Sequence, residues 1–389
     1  MAADPGGGGH YRRAYPPRLS VPAVRRAPLI LGAGPAGASA AIVLACAGAA
    51  PQVIERHRDI PDALCGGFLS WRTLAALERL GVAADALNPA RIGIVRLFAA
   101  GRMVEAPLPA PALAVSRRRL DTVLADVASA AGARIERGVT VRAIDDAGVR
   151  TADGATLTGE ALFLASGKHD VRGAARPAAA RGDDPTLGLR WRCQPAPALT
   201  HMVAGAIELH LVARGYVGIA LQEDGSANVC MAIRRSRLDA AGDPAALLRE
   251  LAAEAPALAD RLAFVGDGGG AGDAIANVPY GWRATAGTAG RYRLGDQAAV
   301  IPSLAGEGIG IAVASGASAA AAWLRDGSAG APAWQRGFAR RAAAPLGWAG
   351  AVWRVAERPA LAALLLPAAR AGRVIPLVAA LTRIDRAGR

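Results

Sequence analysis

Residues 27–54 run for 28 positions without a charged side chain, and near their start stands the turn Gly32-Ala33-Gly34-Pro35-Ala36-Gly37. By hydropathy alone such a stretch reads as a membrane span or a signal region. Its internal punctuation argues otherwise. Gly, Pro and Ala crowd the first half, and the pattern resolves into a strand over 28–31, a helix over 38–47 and a second strand over 52–55. A parallel sheet covered on both faces also reads as continuous apolar sequence, so the stretch predicts the opening of a βαβ unit. In such a unit Gly32 permits the tight turn, Gly34 lets the backbone approach a pyrophosphate, and Gly37 lets helix and strand pack closely. The backbone amides around Ala36 and the positive end of the helix then face phosphate oxygens. Glu55 follows at the end of the second strand, with Arg56 beside it. A carboxylate there accepts hydrogen bonds from ribose hydroxyls and repels a 2′-phosphate, which favours FAD or NAD over NADP.

The 389 residues suffice for two interleaved domains. Residues 1–26, with four consecutive glycines and Arg12-Arg13 but no apolar periodicity, read as a disordered extension. Residues 27–175 are expected to form the first part of a FAD-binding domain. It contains a helix over 120–131, short strands over 133–135 and 139–144, and a buried strand over 161–165 that ends at Gly167. Alternation such as Ile207-Glu208-Leu209-His210-Leu211 and Gly215-Tyr216-Val217-Gly218 marks 176–285 as a sheet domain for substrate. Helical spacing over 244–262 breaks at Pro256. The FAD domain resumes over 286–325, with a strand at 292–294 and a helix over 308–324. The remainder, 326–389, reads as helices broken at Pro359, Pro367 and Pro376.

Four cysteines at wide, irregular spacings (Cys46, Cys65, Cys193, Cys230) make neither a metal cluster nor a disulfide framework, which suits a reducing cytoplasm. A formal charge of +13 allows an anionic partner. The arginines are scattered, however, and no basic block interleaves with aromatics, so nucleic acid is not expected.

Downstream, the segment Tyr292-Arg293-Leu294-Gly295-Asp296-Gln297 continues through Pro302 to Gly306-Glu307-Gly308-Ile309. It resembles the second FAD fingerprint of the flavoprotein superfamily that includes aromatic-ring hydroxylases, p-hydroxybenzoate hydroxylase-like, and geranylgeranyl reductases. The resemblance implies that Asp296 holds the ribityl hydroxyls and that Gly306, Gly308 and Ile309 lie against the flavin. A helix starting there would stabilise negative charge on the reduced ring. Glu307 would face the flavin or cap that helix. Ser116-Arg117-Arg118-Arg119-Leu120-Asp121 looks like the group's Arg-x-x-(Leu/Phe)-Asp helix start, which makes Arg117 a FAD contact. Val141 matches a strand residue near the adenine, and Leu162-Phe163-Leu164-Ala165-Ser166-Gly167 a strand and small-residue turn closing the domain. Cys65-Gly66-Gly67-Phe68-Leu69-Ser70 resembles a Cys-Gly-Glu-x-Leu-Ser stretch of the reductase branch, with Gly67 in place of the acidic residue. This puts Cys65 and Gly66 near the ring, although a packing role for the thiol is equally open. The implied fold class is α/β: a Rossmann-type FAD-binding domain with an inserted, mainly antiparallel β-sheet substrate domain and C-terminal helices.

FAD carries redox chemistry, and the resemblance leaves three activities open: reduction of a C=C bond in a hydrophobic, isoprenoid-like molecule, monooxygenation of an aromatic or polyketide-like one, or non-catalytic flavin binding and electron carriage. The reductases' Tyr-x-Trp-x-Phe-Pro run is replaced here by Tyr216-Val217-Gly218-Ile219-Ala220-Leu221. The hydroxylases' Asp-Gly motif is replaced by Gly167-Lys168-His169-Asp170-Val171-Arg172. That polar cluster could bind the phosphates of a reduced nicotinamide, donate a proton through His169, or be a surface loop. Tyr216 could line the substrate pocket or pack in the core. With no second dinucleotide turn, NAD(P)H is expected to visit transiently. Trp348, Trp353 and the leucines at 364–366 give the C-terminal helices a surface for peripheral membrane contact or for closing over the core. The expected location is cytoplasmic, with membrane association through these helices left open.

Overall fold

The computed structural model describes residues 27–265 and 272–384. The disordered extension expected over 1–26 lies outside the described residues. In chain order, β1 (Leu29–Leu31) leads through the glycine turn into α1 (Pro35–Cys46) and β2 (Gln52–Glu55). Next come β3 (Phe68–Leu69), α2 (Trp71–Arg79), α3 (Ala84–Leu87) and a hairpin of β4 (Ile92–Ala99) and β5 (Arg102–Ala114). After α4 (Arg117–Ala130) and β6 (Arg134–Arg137) a small sheet forms from β7 (Val141–Asp145), β8 (Gly148–Thr151) and β9 (Thr156–Leu157), followed by β10 (Leu162–Leu164). The middle of the chain supplies β11 (Thr186–Cys193), α5 (Pro197–Val203), β12 (Ala206–Val212), β13 (Gly215–Leu221) and β14 (Ala227–Arg234). Three helices, α6 (Arg235–Ala241), α7 (Pro244–Glu254) and α8 (Pro256–Leu262), precede β15 (Asp273–Val278). The chain then returns through β16 (Arg291–Arg293) to α9 (Gly308–Asp326), α10 (Ala331–Ala356), α11 (Pro359–Arg370) and α12 (Val374–Leu381).

Five parallel strands in the order β16-β10-β1-β2-β6 form the nucleotide sheet, which places the glycine turn at the carboxyl end of its central strand. That is where ligands bind in open parallel sheets. Helix α1 is apolar all round and buried along nearly its whole length, because α9 covers its other side. Small residues permit the approach: a Cβ on Gly316 would lie 2.2 Å from the carbonyl oxygen of Ala36.

The second sheet has eight strands, β15-β11-β14-β13-β12-β4-β5-β3, antiparallel at every pairing except β12 with β4. Its membership differs from the expected division of the chain. Strands β3, β4 and β5 come from within residues 27–175, so that segment builds both domains. Their strand signal is masked by Pro107, Pro109 and Pro111, which deny β5 a clean alternation. Such prolines are tolerated because β5 has only the two-residue β3 on its outer side and pairs irregularly with β4 near Ile92.

The C-terminal helices also depart from expectation. Pro359 does open α11, but α11 runs on through Pro367 to Arg370, since a proline in the last turn removes only one amide bond. Pro376 sits in the first turn of α12, where its missing N–H has no intrahelical partner to lose. Among the described residues no single helix is long and apolar enough to cross a membrane.

Candidate active site

Backbone crowding fixes the first turn. Gly32 has φ +105°, and a Cβ there would lie 2.5 Å from the Ala165 carbonyl oxygen; one on Gly37 would lie 1.9 Å from the Gly32 oxygen. Across the turn, the Glu55 carboxylate accepts the Ala33 N–H at 2.9 Å and the His57 N–H at 3.0 Å, which pins it at the end of β2. No side chain caps the N-terminus of α1 at Gly34. Arg117 leans over the same turn, its guanidinium 3.3 Å from the position of a Cβ on Gly34. It is no solvated charge: Asp121 takes it in two hydrogen bonds of 3.0 and 2.8 Å, and Ser116 caps the helix that carries both. Burial opposes the Arg117 charge, but the Asp121 carboxylate outweighs it and raises the guanidinium pKa.

The second fingerprint abuts the first. Gly295 (φ +56°) donates its N–H to Ser315 Oγ at 2.8 Å, and a Cβ on it would meet Ala36 at 3.2 Å. Ala36 thus locks the two fingerprints together. Asp296 pairs with Lys168 Nζ at 3.2 Å, and the Asp296 charge, against burial, raises the lysine pKa. Gln297 donates to the carbonyls of Gly167 (2.9 Å) and His169 (3.0 Å), tying the turn after β10 to this loop. Gly306 (φ +68°) packs so closely on Phe68 that a Cβ would lie 2.8 Å from the ring, which joins the 65–70 segment to the loop. At the start of α9 a Cβ on Gly308 would meet nothing within 4 Å, while Ile309 is buried.

Glu307 does not take the expected capping role. No side chain caps α9, and the Glu307 carboxylate turns away to bind Arg383 at 2.7 Å. Arg383 in turn stacks 4.1 Å over the Trp71 ring.

The donor set fits FAD. The uncapped α1 N-terminus and Arg117 suit the pyrophosphate, Glu55 the adenosine ribose, Asp296 the ribityl chain, and the uncapped α9 N-terminus the electron-rich edge of the flavin. Val141 packs on the cluster of Leu31, Ile54 and Leu164 at the carboxyl ends of the nucleotide strands.

Residues from six segments gather around the 65–70 stretch and the loop of the second fingerprint. Cys65 is a half-buried free thiol that accepts the Gly67 N–H at 3.4 Å. Asn228 Nδ2 holds the carbonyls of Cys65 and Gly66 at 2.9 and 3.1 Å. Gly67 has φ +73°, and a Cβ there would lie 2.5 Å from the Val115 oxygen. The acidic residue of the reductase motif would therefore be strained at this position. Tyr216 is buried and donates to Ser303 Oγ at 2.8 Å; the Tyr280 hydroxyl shares the same serine. Trp353 meets both phenols edge-on, at 5.9 and 5.5 Å between centroids. Burial pushes the pKa of Tyr216 well above the ordinary phenol value and that of Tyr280 in the same direction, so both stay protonated.

His169 belongs elsewhere. Arg56 bridges it (2.6 Å) to His57 (2.8 Å), and an arginine can only donate, so His169 Nε2 is an acceptor. Burial, then the Arg56 charge, pull its pKa down from the ordinary imidazole value. It lines a cavity of about 290 Å³ with Lys168, Arg176, Arg181, Asn277 and Pro279. Arg176 is buried, paired with Asp170 at 2.8 Å and stacked 5.7 Å from the Trp282 ring.

Sequence reasoning missed Tyr280, Ser303, Asp121 and Gln297 as site residues, and saw Trp353 only as a ring of the C-terminal helices, not as a neighbour of the two phenols. Ser303 and Gln297 lie inside the second fingerprint and Asp121 closes the Arg117 motif, so their positions were signalled. Nothing local marks Tyr280 or Trp353.

Residues 26–170 match the family described as FAD binding domain. Menaquinone reductase of Mycolicibacterium smegmatis is 33% identical over 156 residues, 37% of this chain and 38% of that protein. The match thus spans less than half the length of the curated relative. Among solved structures, a probable FAD-dependent monooxygenase, pqsL of Pseudomonas aeruginosa, superposes with TM-score 0.66 at 18% identity, covering 88% of this chain and 99% of the other. A geranylgeranyl bacteriochlorophyll reductase-like protein of Thermoplasma acidophilum gives 0.64 at 19% identity, over 92% and 93% of the two chains. At these identities the structures speak for the fold.

Proposed function

We propose that this chain, which carries a FAD-binding domain and the fold shared with a geranylgeranyl reductase-like protein and a probable monooxygenase, is a FAD-dependent oxidoreductase that reduces a carbon–carbon double bond in a hydrophobic small molecule. The observation that carries this is the wall of Tyr216, Tyr280 and Trp353, joined through Ser303 to the loop of the second fingerprint. Tyr280 is the partly exposed ring through which this cluster would meet a flat or isoprenoid substrate, with Tyr216 and Trp353 packed behind it, and its two phenols are held protonated. When bound, FAD supplies the hydride chemistry. Hydrogen addition across a double bond takes one hydride and one proton, so the protein must present a proton on the substrate's other side. Tyr216 and Tyr280, sharing the Ser303 hydroxyl, are the groups placed to hold and replace it. Cys65, Gly66 and Asn228 fix the edge of the same space.

The likeness to a protein named menaquinone reductase supports a prenylated, quinone-like substrate. On the reductant side, Lys168, Arg176 and Arg181 around the 290 Å³ cavity, with Arg56 and His169 at its flank, support a transient NAD(P)H whose phosphates need cations.

The test is to load the protein with FAD, add NADH or NADPH and menaquinone without oxygen, and weigh the product. The expected result is a product that remains heavier by two hydrogens after any quinol has been reoxidised to the quinone, since only a saturated carbon–carbon bond survives that reoxidation. A product formed only under oxygen and carrying labelled oxygen would replace this function with monooxygenation. Flavin reduction without turnover of any quinone or aromatic substrate would leave an electron carrier.

A further inference from the structure

Among the described residues the exposed large hydrophobic side chains are Met103, Trp348, Leu361, Leu364, Leu365 and Leu377. All stand on α10, α11 and α12 or on the β5 end of the hairpin against which α11 and α12 pack. Helix α11 is two-faced. Ala362, Ala363, Leu366 and Ala369 are buried on Ala99 and Val104 of the hairpin, while Leu364, 70% exposed, and Leu365 look outward. This is more than the single stray leucines that any surface carries.

The charges around this surface have one sign. Between residues 331 and 384 there are eight arginines and a single acid, Glu357, which Arg234 already holds. Arg358 and Arg370 bracket α11, Arg373 opens α12, and all three are exposed. With 12 residues, α11 is about 18 Å long, short of the roughly 30 Å hydrocarbon core. Helix α12 turns from it by 108°, so the pair is shaped to lie along a surface. A second copy of this face would bring arginine against arginine, which argues against self-association through it.

We propose that α11 and α12 form a foot that docks the protein on a bilayer rich in anionic lipid. Leu361, Leu364, Leu365 and Leu377 enter the acyl boundary, and the flanking arginines meet lipid phosphates. The buried Arg383 follows α12 and reaches Glu307 at the start of α9, so the foot is anchored to the helix that faces the flavin. A molecule dissolved in the membrane would then meet the protein at the surface that also carries its redox site. Docking itself does not depend on the proposed reaction, since it is measured without turnover.

The experiment sediments the full, FAD-loaded chain with vesicles of equal phosphatidylglycerol and phosphatidylcholine, and with phosphatidylcholine alone. Binding to the anionic vesicles is expected, with affinity at least about tenfold lower on the neutral ones or in high salt. The double substitution Leu364→Glu, Leu365→Glu should lower binding about a hundredfold, and Arg370→Gln with Arg373→Gln about tenfold, each with flavin absorbance unchanged. The foot is overturned if the wild type stays in solution with both vesicles or if the leucine variant sediments as the wild type does. It is also overturned if the wild type is a dimer that the leucine substitutions make monomeric, for then the patch faces protein.

Discussion

At the glycine turn backbone meets backbone, whereas at the aromatic wall side chains from distant segments meet one another. Gly32, Gly34 and Gly37 lie within six residues, and two of them have no room for a methyl group. The wall joins Tyr216 of β13, Tyr280 after β15, Ser303 of the second fingerprint and Trp353 of α10. The first arrangement holds a cofactor in one place and tolerates nothing. The second can change its shape one ring at a time, which suits a surface that selects a substrate.

The hardest blow to this comparison falls on the turn. Gly37→Val should cost about 3 kcal/mol or more, because neither backbone in the 1.9 Å clash can give way, and the purified variant should be colourless. A yellow Gly37→Val protein with normal flavin absorbance would mean that the turn is not the cradle.

Next in size is an acid effect confined to the eight-stranded sheet. Glu208 of β12 is fully buried and takes two hydrogen bonds of 2.9 Å from Arg261. Burial raises its pKa, yet the bonds from His210 and Arg261 and the Arg261 charge win and hold it at about 2 against an ordinary 4.5. A depressed carboxylate stabilises the fold above its unfolded pKa and loses that stabilisation as pH falls through the folded value. Glu208 therefore contributes about 3 kcal/mol that disappears between pH 4.5 and 2. His210, pulled below 6.5 chiefly by burial, adds a loss of the same sign that begins nearer pH 6.5. Urea denaturation at stepped pH should show stability falling through both windows, and Glu208→Gln should flatten the lower one. Unchanged curves would mean that the sheet does not depend on its buried charges.

The smallest effect sharpens the other side. Tyr280→Phe and Tyr216→Phe should each keep FAD while slowing product formation about a hundredfold, with the double variant little worse than either, since both phenols act through Ser303. Multiplying losses would separate the two phenols. Loss of FAD instead would merge the wall into the cradle.

Much of the cradle was legible because its parts are local. The order strand, turn, helix, strand, Glu55 and the run from Gly295 to Ile309 can each be read within a few dozen residues. Cys65 could be read as either a ring neighbour or a packing thiol and Tyr216 as either a pocket or a core residue, and the partners of neither could be read. His169 shows what local reading leaves open: the motif offered a proton donor, a phosphate site or a surface loop, and only the fold brings Arg56, far away in sequence, against its Nε2. The prolines of β5 and of α11 misled for the same reason, since a proline's cost depends on what lies beside it.

By itself the sequence determined the nucleotide sheet, both fingerprints and hence the cofactor, because glycine conformation and the βαβ unit are short-range matters. Only the tertiary structure decided that β4 and β5 cross into the substrate sheet, that Glu307 answers Arg383 instead of capping α9, and that two tyrosines share one serine. Each of these joins residues dozens to more than a hundred positions apart, where burial and the supply of a partner, not local spacing, set which contact forms.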